Sequence, residues 1–231
     1  MPKKEKKQKN EEKASVELSP EMPLAELPYA DEQQLVIINN IDAPGMPIDK
    51  YRTIVACGDI TEETSAQIMQ SLFYYGSPAS MGLRTFDKDA DEVPTPIGFN
   101  ISTCGGSALE MFGIYDVMRH ISEKVEIHTY GVGKVMSAGV LLLAAGKKGQ
   151  RRIGRNCRVM IHGLMGGYHG SISSMENEIA EVKWIQKRYI ENMVSETFLT
   201  KKKVKSMLNQ QVDIYLSAEE AVKYGIADIV V

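Results

Sequence analysis

From about residue 48 onwards, the hydrophobic positions of the chain follow two periods in turn. Apolar residues at helical spacing predict helices after Thr61, after Ser107 and from Ala138. Short apolar or β-branched runs between them predict strands at 51–57, 96–101, 125–130 and 157–161. Strands that alternate with helices imply βαβ units, so the sequence predicts an α/β fold with a largely parallel sheet.

The stretch from about 173 to 199 predicts one very long helix. At 1.5 Å per residue it would be about 40 Å long, and its apolar residues cover more than one narrow stripe. Such a helix should project from the domain and pack against another subunit. The remaining pattern predicts a helix at 201–208, a strand at 212–216, a helix that Ser217 and Glu220 begin as a capping box and Gly225 ends, and a strand at 226–231.

Two segments lack this periodicity. Residues 1–47 begin with a mixture of Lys and Glu and continue with five prolines around one strand-like run at 34–38. We expect a flexible arm with one short ordered piece, with a nucleic-acid-binding arm as the alternative. Residues 76–95 are polar and contain Gly, Pro and Asp, which predicts a long mobile loop. The globular domain is therefore predicted at 48–231.

Composition excludes several classes of protein. A charged fraction of 25% and a net charge of −3 in 231 residues are ordinary for a soluble protein and do not favour nucleic-acid binding. The longest apolar run, 138–145, is too short to span a membrane, and the basic N-terminus lacks the apolar segment of a secretory signal. The three cysteines form no CxxC pair, and no histidine spacing indicates a metal site. Free thiols fit a reducing cytoplasm.

Two side chains stand where local structure would expose reactive groups. Ser137 precedes an apolar helix, whose N-terminus favours negative charge, and His162 ends a predicted strand. The glycines at 163, 166 and 167 would let another backbone approach. A nucleophile, a base and a glycine-rich segment that a peptide backbone can approach together suit acyl transfer on a peptide. The simpler alternatives are that Ser137 only caps its helix and that His162 is structural.

A second glycine turn supports the same location. Gly105 and Gly106 stand between a predicted strand and a helix, where backbone N–H groups can face an anion. Ligands of parallel sheets bind at the carboxyl ends of the strands, and this turn and Ser137 both lie at such ends. The spacing does not match a nucleotide-binding motif.

Seven sequence blocks, in this order and spacing, resemble the proteolytic subunit of the Clp protease family. They are GGS at 105–107, IYD at 114–116, MSAG at 136–139, LLAAGKKGQR at 142–151, RVMIH at 158–162, GGYHG at 166–170 and YLSAEEAVKYGIAD at 215–228. The resemblance covers roughly 180 residues and continues more weakly back to Tyr51. It implies the βαβ-repeat, superhelical fold that this family shares with crotonases, with the helix at 173–199 as a protruding handle.

The resemblance also implies a serine endopeptidase with a Ser-His-Asp mechanism. Ser137 would be the nucleophile, His162 the general base and Asp213 the third member of the triad. The N–H groups of Gly106 and Ala138 would form the oxyanion hole. Substrate would bind as an added strand along the residues Gly105, Gly163, Leu164, Met165, Gly166 and Gly167. No cofactor and no metal are implied.

Members of this family assemble as two stacked seven-membered rings that enclose their active sites. The resemblance therefore implies a cytoplasmic homo-oligomer for protein quality control, which degrades unfolded polypeptides that an AAA+ unfoldase ATPase feeds into it. Nucleic-acid and membrane partners are not implied. The chain itself has no phosphate-binding loop, as expected of a peptidase that relies on a separate ATPase.

The chain departs from the family pattern at four places. The usual Ser-Met, His-Gln-Pro and Pro-Gly-Gly are Ser137-Ala138, His162-Gly163-Leu164 and Cys104-Gly105-Gly106, and Val212 replaces the Arg before the triad Asp. These departures leave open a catalytically weak ring subunit that acts as scaffold or regulator. A crotonase-fold acyl-CoA enzyme is a further alternative, but it would not need Ser137, His162 and Asp213 together.

Overall fold

The computed structural model describes residues 52–81, 94–167, 169–210 and 212–231, without the side chains of Ala79 and Met81. The predicted arm at 1–47 and most of the predicted loop at 76–95 lie outside the described residues. Within the described part of that segment, Pro78–Met81 forms a short 3-10 helix.

One mixed sheet forms the centre of the described chain. Its strands are β1 Thr53–Ile60, β2 Ile97–Gly106, β3 Ile127–Met136, β4 Arg152–Ile153, β5 Arg158–Ile161, β6 Ile214–Leu216 and β7 Ile229–Val230. The strand order is β1-β2-β3-β4-β7, and β5 leaves this path by pairing with β3 and carrying β6 at its outer side. Every pairing is parallel except that of β5 with β6. The predicted α/β fold with a largely parallel sheet is confirmed.

Within the described ranges, six α-helices accompany the sheet. They are α1 Glu62–Tyr75, α2 Ala108–Ser122, α3 Ala138–Ala144, α4 Ile172–Glu196, α5 Lys201–Leu208 and α6 Ala218–Lys223. The side chains of Thr61, Ser107 and Ser217 each accept a hydrogen bond from a backbone N–H of the first turn, and Ser217 and Glu220 form the predicted capping box. Gly225 follows α6 with a φ of +71°, as its predicted role in ending the helix requires.

The central strands are longer than their patterns predicted. β2 does not end at Ile101, because inward burial continues through Thr103 and Gly105. The Thr103 hydroxyl accepts a hydrogen bond from the Gly105 N–H at 2.9 Å and donates to the Gly58 carbonyl at 2.5 Å. The predicted turn at Gly105-Gly106 is therefore wrong, since both glycines are the last residues of β2. β1 likewise continues to Ile60, past an irregularity at Gly58.

The core lies between the sheet and the first three helices. α1 packs against β1 and α2, and α3 packs against β2, β3 and α2. Every residue of α3 is buried, which explains why its sequence is uniformly apolar. Fully buried side chains from strands and helices, such as Phe99, Ile114 and Leu141, fill this layer. The core thus fixes the strand ends from which the candidate site is built.

The long helix is confirmed, with bounds of 172–196 in place of the predicted 173–199. Its 25 residues are about 37 Å long, and only those near its C-terminal end are buried. The N-terminal part exposes large apolar side chains, among them Ile172, Met175, Ile179 and Trp184. These four side chains are therefore largely in contact with solvent within the described chain. None of the helices in the described ranges is long and apolar enough to cross a membrane.

A buried ion pair between Arg151 and Asp228 connects segments that are distant along the chain. Arg151 is 1% exposed and binds both carboxylate oxygens of Asp228, at 2.8 and 2.6 Å. It also donates to the carbonyls of Ala144 and Glu196, at 3.1 and 2.7 Å. This guanidinium therefore connects the ends of α3 and α4 to the turn before β7, and removing its partner would leave a buried charge uncompensated.

We predict that Asp228→Ala lowers the free energy of unfolding by about 3–5 kcal/mol, measured by denaturant unfolding at pH 7. Glu191→Ala is the matched control, because it removes an exposed ion pair with Arg188 and should cost about 1 kcal/mol or less.

The same variant gives a pH signature. Burial alone would raise the pKa of Asp228, but hydrogen bonds from Arg151 and Gly149 lower it below the ordinary 3.8. A carboxylate with a lowered folded-state pKa stabilises the protein above the unfolded-state value and loses that contribution as the pH falls through the folded-state value. The gap between wild type and variant should shrink below about pH 4. A gap that stays constant down to pH 3 would contradict this role.

Candidate active site

Ser137 stands at a sharp change of backbone direction between β3 and α3. Its φ of 53° and ψ of −118° make it the one non-glycine residue with positive φ among the described residues. Its N–H donates to the Met160 carbonyl at 2.8 Å, and its side chain makes no capping hydrogen bond. The alternative that Ser137 only caps its helix is therefore wrong. Such backbone strain costs about 1–3 kcal/mol and is concentrated at functional sites.

Glycines make room for this conformation. A Cβ at Gly105 would lie 2.6 Å from the Ser137 Cβ and 3.1 Å from its Oγ, and the φ of Gly105 is +108°. A Cβ at Gly106, with φ +148°, would collide with the Ile60 backbone. Both positions therefore require glycine, because the ends of β1, β2 and β3 approach one another too closely for any side chain.

The strand register brings the three predicted triad positions to one edge of the sheet. β5 runs parallel to β3 with Met160 beside Met136, so His162 follows the strand next to Ser137. β6 runs antiparallel to β5 with Ile214 opposite Ile161, and one further step places Asp213 opposite His162. Directly opposite residues of antiparallel strands have Cβ atoms about 4.5–5.5 Å apart.

A pocket with a volume of about 370 Å³ opens at this edge. Seven of the predicted site residues line it, namely Gly106, Ser137, Ala138, His162, Gly163, Leu164 and Met165. Ser137 and His162 therefore face one cavity. Asp213, Gly105, Gly166 and Gly167 are not among its lining residues; Asp213 is exposed, and Gly105 lies buried behind Ser137.

The structure shows no hydrogen bonds among the three predicted triad side chains within its described ranges: none links Ser137 to His162 or His162 to Asp213. Catalytic hydrogen bonds are often long before substrate binds and tighten in the complex. The segment after His162, residues 163–167, lies outside any helix or strand, so its backbone groups are not used in sheet pairing.

The beginning of α3 supplies backbone donors to the same cavity. Ala138 is its first residue, and the first N–H groups of a helix have no intrahelical acceptor. The helix dipole adds positive potential at this end. Gly106, at the end of β2, lines the pocket beside it. This arrangement can accept a carbonyl oxygen that becomes negatively charged.

Sequence reasoning missed four pocket residues that come from three helices. They are Met111 of α2, Gln186 and Tyr189 of α4 and Leu208 of α5, and they line the pocket together with Cys104, Ser107 and Ala108 beside Gly106. Burial raises the pKa of Tyr189, which keeps its phenol neutral. The sequence held no local signal for these residues, because they are distant along the chain and their pattern is that of ordinary helix faces. Among the described residues, no group of three His, Cys, Asp or Glu side chains could hold a metal ion.

Comparison with known proteins is consistent with this geometry. The Clp protease family model matches residues 41–231. The chain is 33% identical over 181 residues to the ATP-dependent Clp protease proteolytic subunit 1 of Prochlorococcus marinus strain MIT 9312. This alignment covers 78% of this chain and 84% of that protein. It is 32% identical over 143 residues to the ATP-dependent Clp protease proteolytic subunit 2 of Synechococcus sp. strain CC9605, in an alignment that covers 62% of this chain and 71% of that protein.

We predict that Gly105→Ala lowers the free energy of unfolding by at least about 2 kcal/mol, because it adds a strained φ and a contact with Ser137. Gly167→Ala is the matched control, since a Cβ there meets nothing within 4 Å. Denaturant unfolding of both variants measures the difference without reference to activity. Equal stabilities for the two variants would contradict the close approach of β2 to Ser137.

Proposed function

Because the chain belongs to the Clp protease family, we propose that it is a serine endopeptidase that cleaves unfolded polypeptides through an acyl-enzyme. The observation that carries this proposal is the strained Ser137, packed against Gly105 and facing the same pocket as His162. Strain at a nucleophile that ends a strand and begins a helix holds its hydroxyl clear of the backbone.

The positions of these side chains support a Ser-His-Asp mechanism. His162 takes the proton of Ser137 Oγ as the oxygen attacks the substrate carbonyl. The N–H groups of Gly106 and Ala138 stabilise the oxyanion, a contribution of about 10²–10³ in rate per donor. His162 then gives the proton to the leaving amine, and water hydrolyses the ester by the reverse sequence. Asp213 would hold the imidazole in the tautomer that accepts the proton.

Substrate would be held mainly through its backbone. Residues 163–167 lie outside any helix or strand and are exposed from Leu164 onwards. The glycines at 166 and 167, where an added Cβ meets nothing within 4 Å, would allow a peptide to lie alongside as an added strand. Gly105 would contribute indirectly, by leaving room for Ser137. Backbone pairing recognises any extended chain, whereas a folded protein presents few free strands. This mode suits unfolded polypeptides and needs no cofactor or metal.

We further propose a homo-oligomer of paired heptameric rings that receives substrate from an AAA+ unfoldase. The exposed apolar side chains of α4 support an assembly, because a projecting helix with an apolar face is stabilised by a second copy. The relatives are named as ATP-dependent protease subunits, which supports a partner ATPase. We place this assembly in the cytoplasm, because its three free cysteines suit a reducing compartment. Removal of unfolded polypeptides there would serve protein quality control.

A catalytically weak ring subunit is the second candidate. The observation in its favour is the exposed Asp213, which makes no hydrogen bond to His162 within the described chain. Such a subunit would assemble and bind peptide but hydrolyse it poorly. Acyl-enzyme formation distinguishes the two candidates.

We predict that Ser137→Ala lowers hydrolysis of an unfolded fluorogenic substrate by about 10⁴-fold or more and abolishes labelling by a fluorophosphonate probe, which mass mapping should place on Ser137 in the wild type. The wild-type rate is measured with and without an AAA+ unfoldase and ATP. His162→Gln should cause a similar loss of hydrolysis, since the hydroxyl then lacks its base.

The matched controls are His120→Gln, on the last turn of α2, and Asp116→Asn, on the exposed side of that helix; both should retain activity within about twofold. Asp213→Asn should lower the rate by about 10³-fold or more through the wrong imidazole tautomer. Wild-type protein that is neither labelled nor active in either condition would favour the scaffold. Activity that survives Ser137→Ala would contradict the triad.

We also predict that the double variant Met175→Lys/Ile179→Lys yields smaller assemblies, measured by light scattering, because it charges one apolar face of α4. Asn177→Lys/Ala180→Lys adds the same charge to the opposite face of the same turns and should leave the mass unchanged. An identical mass for wild type and both variants would contradict assembly through this face.

A further inference from the structure

The pocket wall contains a second nucleophile that the proposed mechanism does not use. Cys104 is exposed, lines the pocket and directly precedes Gly105 and Gly106 in β2. By resemblance, the family has a proline at this position, whose side chain is unreactive. A thiol here therefore adds chemistry to the pocket.

Cys104 belongs to a cluster of polar side chains on one face of the sheet. The register places Cys57 beside Ser102, and Cys57, Ser102 and Cys104 all point away from the core. Thr103 pairs with Val135, so Cys104 and Lys134 flank that pair. The Lys134 ammonium interacts with the Cys104 thiol, which raises the pKa of Lys134, and Cys57 and Asp59 add smaller contributions in the same direction.

This environment is one in which thiols react. The thiolate is the attacking species, and a neighbouring lysine with solvent access is a recurring feature of reactive cysteines. Cys157 is an internal contrast, because it is 1% exposed and burial raises its pKa to about 11. Cys57 is exposed but is not part of the pocket lining, so only Cys104 combines exposure, a cationic neighbour and a place in the pocket.

We propose that Cys104 is a covalent modification site that closes the pocket. Its thiolate attacks one sulfur of a low-molecular-weight disulfide, the disulfide bond breaks, a mixed disulfide forms on Cys104 and the other half leaves as a thiolate. The attached group then occupies the wall beside Gly106 and Ser137 and excludes the substrate carbonyl. A reducing thiol reverses the exchange. The inhibitory consequence rests on the proposed peptidase function, whereas the modification itself does not.

The test treats the assembled protein with glutathione disulfide and follows two readouts. Intact mass and peptide mapping give the fraction of Cys104 that carries glutathione, and peptide hydrolysis gives activity relative to the same protein untreated. We expect hydrolysis to fall at least tenfold as Cys104 becomes fully modified and to return with dithiothreitol. Modification of Cys157 should be absent.

Three variants test whether the adduct on Cys104 causes the inhibition. Cys57→Ser should leave both the adduct and the inhibition unchanged, and Cys104→Ser should lose the adduct and change less than twofold on treatment, relative to its own untreated rate. Lys134→Gln should slow adduct formation about fivefold, the size expected for an exposed charge pair. If Cys104→Ser is unstable, the wild type alone tests the proposal: the fraction of activity lost should then equal the fraction of Cys104 that carries glutathione.

The outcomes separate the two proposals. Fully modified Cys104 with unchanged hydrolysis, inhibition that follows Cys57, or no adduct on Cys104 at all would overturn the modification site. An untreated protein that does not hydrolyse peptide would contradict the proposed function while the adduct readout still tests Cys104.

Discussion

The close approach of β2 to Ser137 is the contact on which the candidate site depends. Ser137 adopts a positive φ that a side chain at Gly105 would forbid, and its N–H is fixed by the Met160 carbonyl of β5. Three neighbouring strands therefore meet at one residue. Because the buried α3 follows directly and cannot shift without opening the core, the strain at Ser137 is held by packing over the whole sheet.

The other two predicted triad residues lie next to strands that have fewer sheet partners than β3. His162 follows the end of β5 and Asp213 directly precedes β6. These two strands leave the main strand path and pair only with β3 and with each other. β6 has three residues, and Asp213 before it is exposed. The nucleophile thus stands on the rigid core, whereas the group that would orient the base stands on an edge. In the proposed peptidase the nucleophile is therefore held by the core more firmly than the residue that would orient its base.

The sequence predicted the fold class and most helices because their signals are local. Apolar spacing identified α2 and α5, and side-chain capping at Thr61 and Ser217 marked helix starts. It ended β2 too early, because Gly105 and Gly106 have the composition of a turn and only tertiary packing extends the strand. Ser137 and His162 stood at detectable strand ends. Asp213 came from family resemblance alone, and Tyr189 and Leu208 came from neither, since nothing local links them to the pocket.

The pocket brings together two nucleophiles that require opposite kinds of activation. Ser137 needs a base, because an alcohol is unreactive until its proton is removed, and His162 lies across the same cavity. Cys104 needs no dedicated base, because thiolates form far more readily than alkoxides, and the Lys134 ammonium interacts with this thiol. His162 follows β5 and Lys134 lies on β3, so the imidazole and the ammonium come from different parts of the sheet. An agent that consumes the thiol can therefore block the pocket while the serine and its base remain intact.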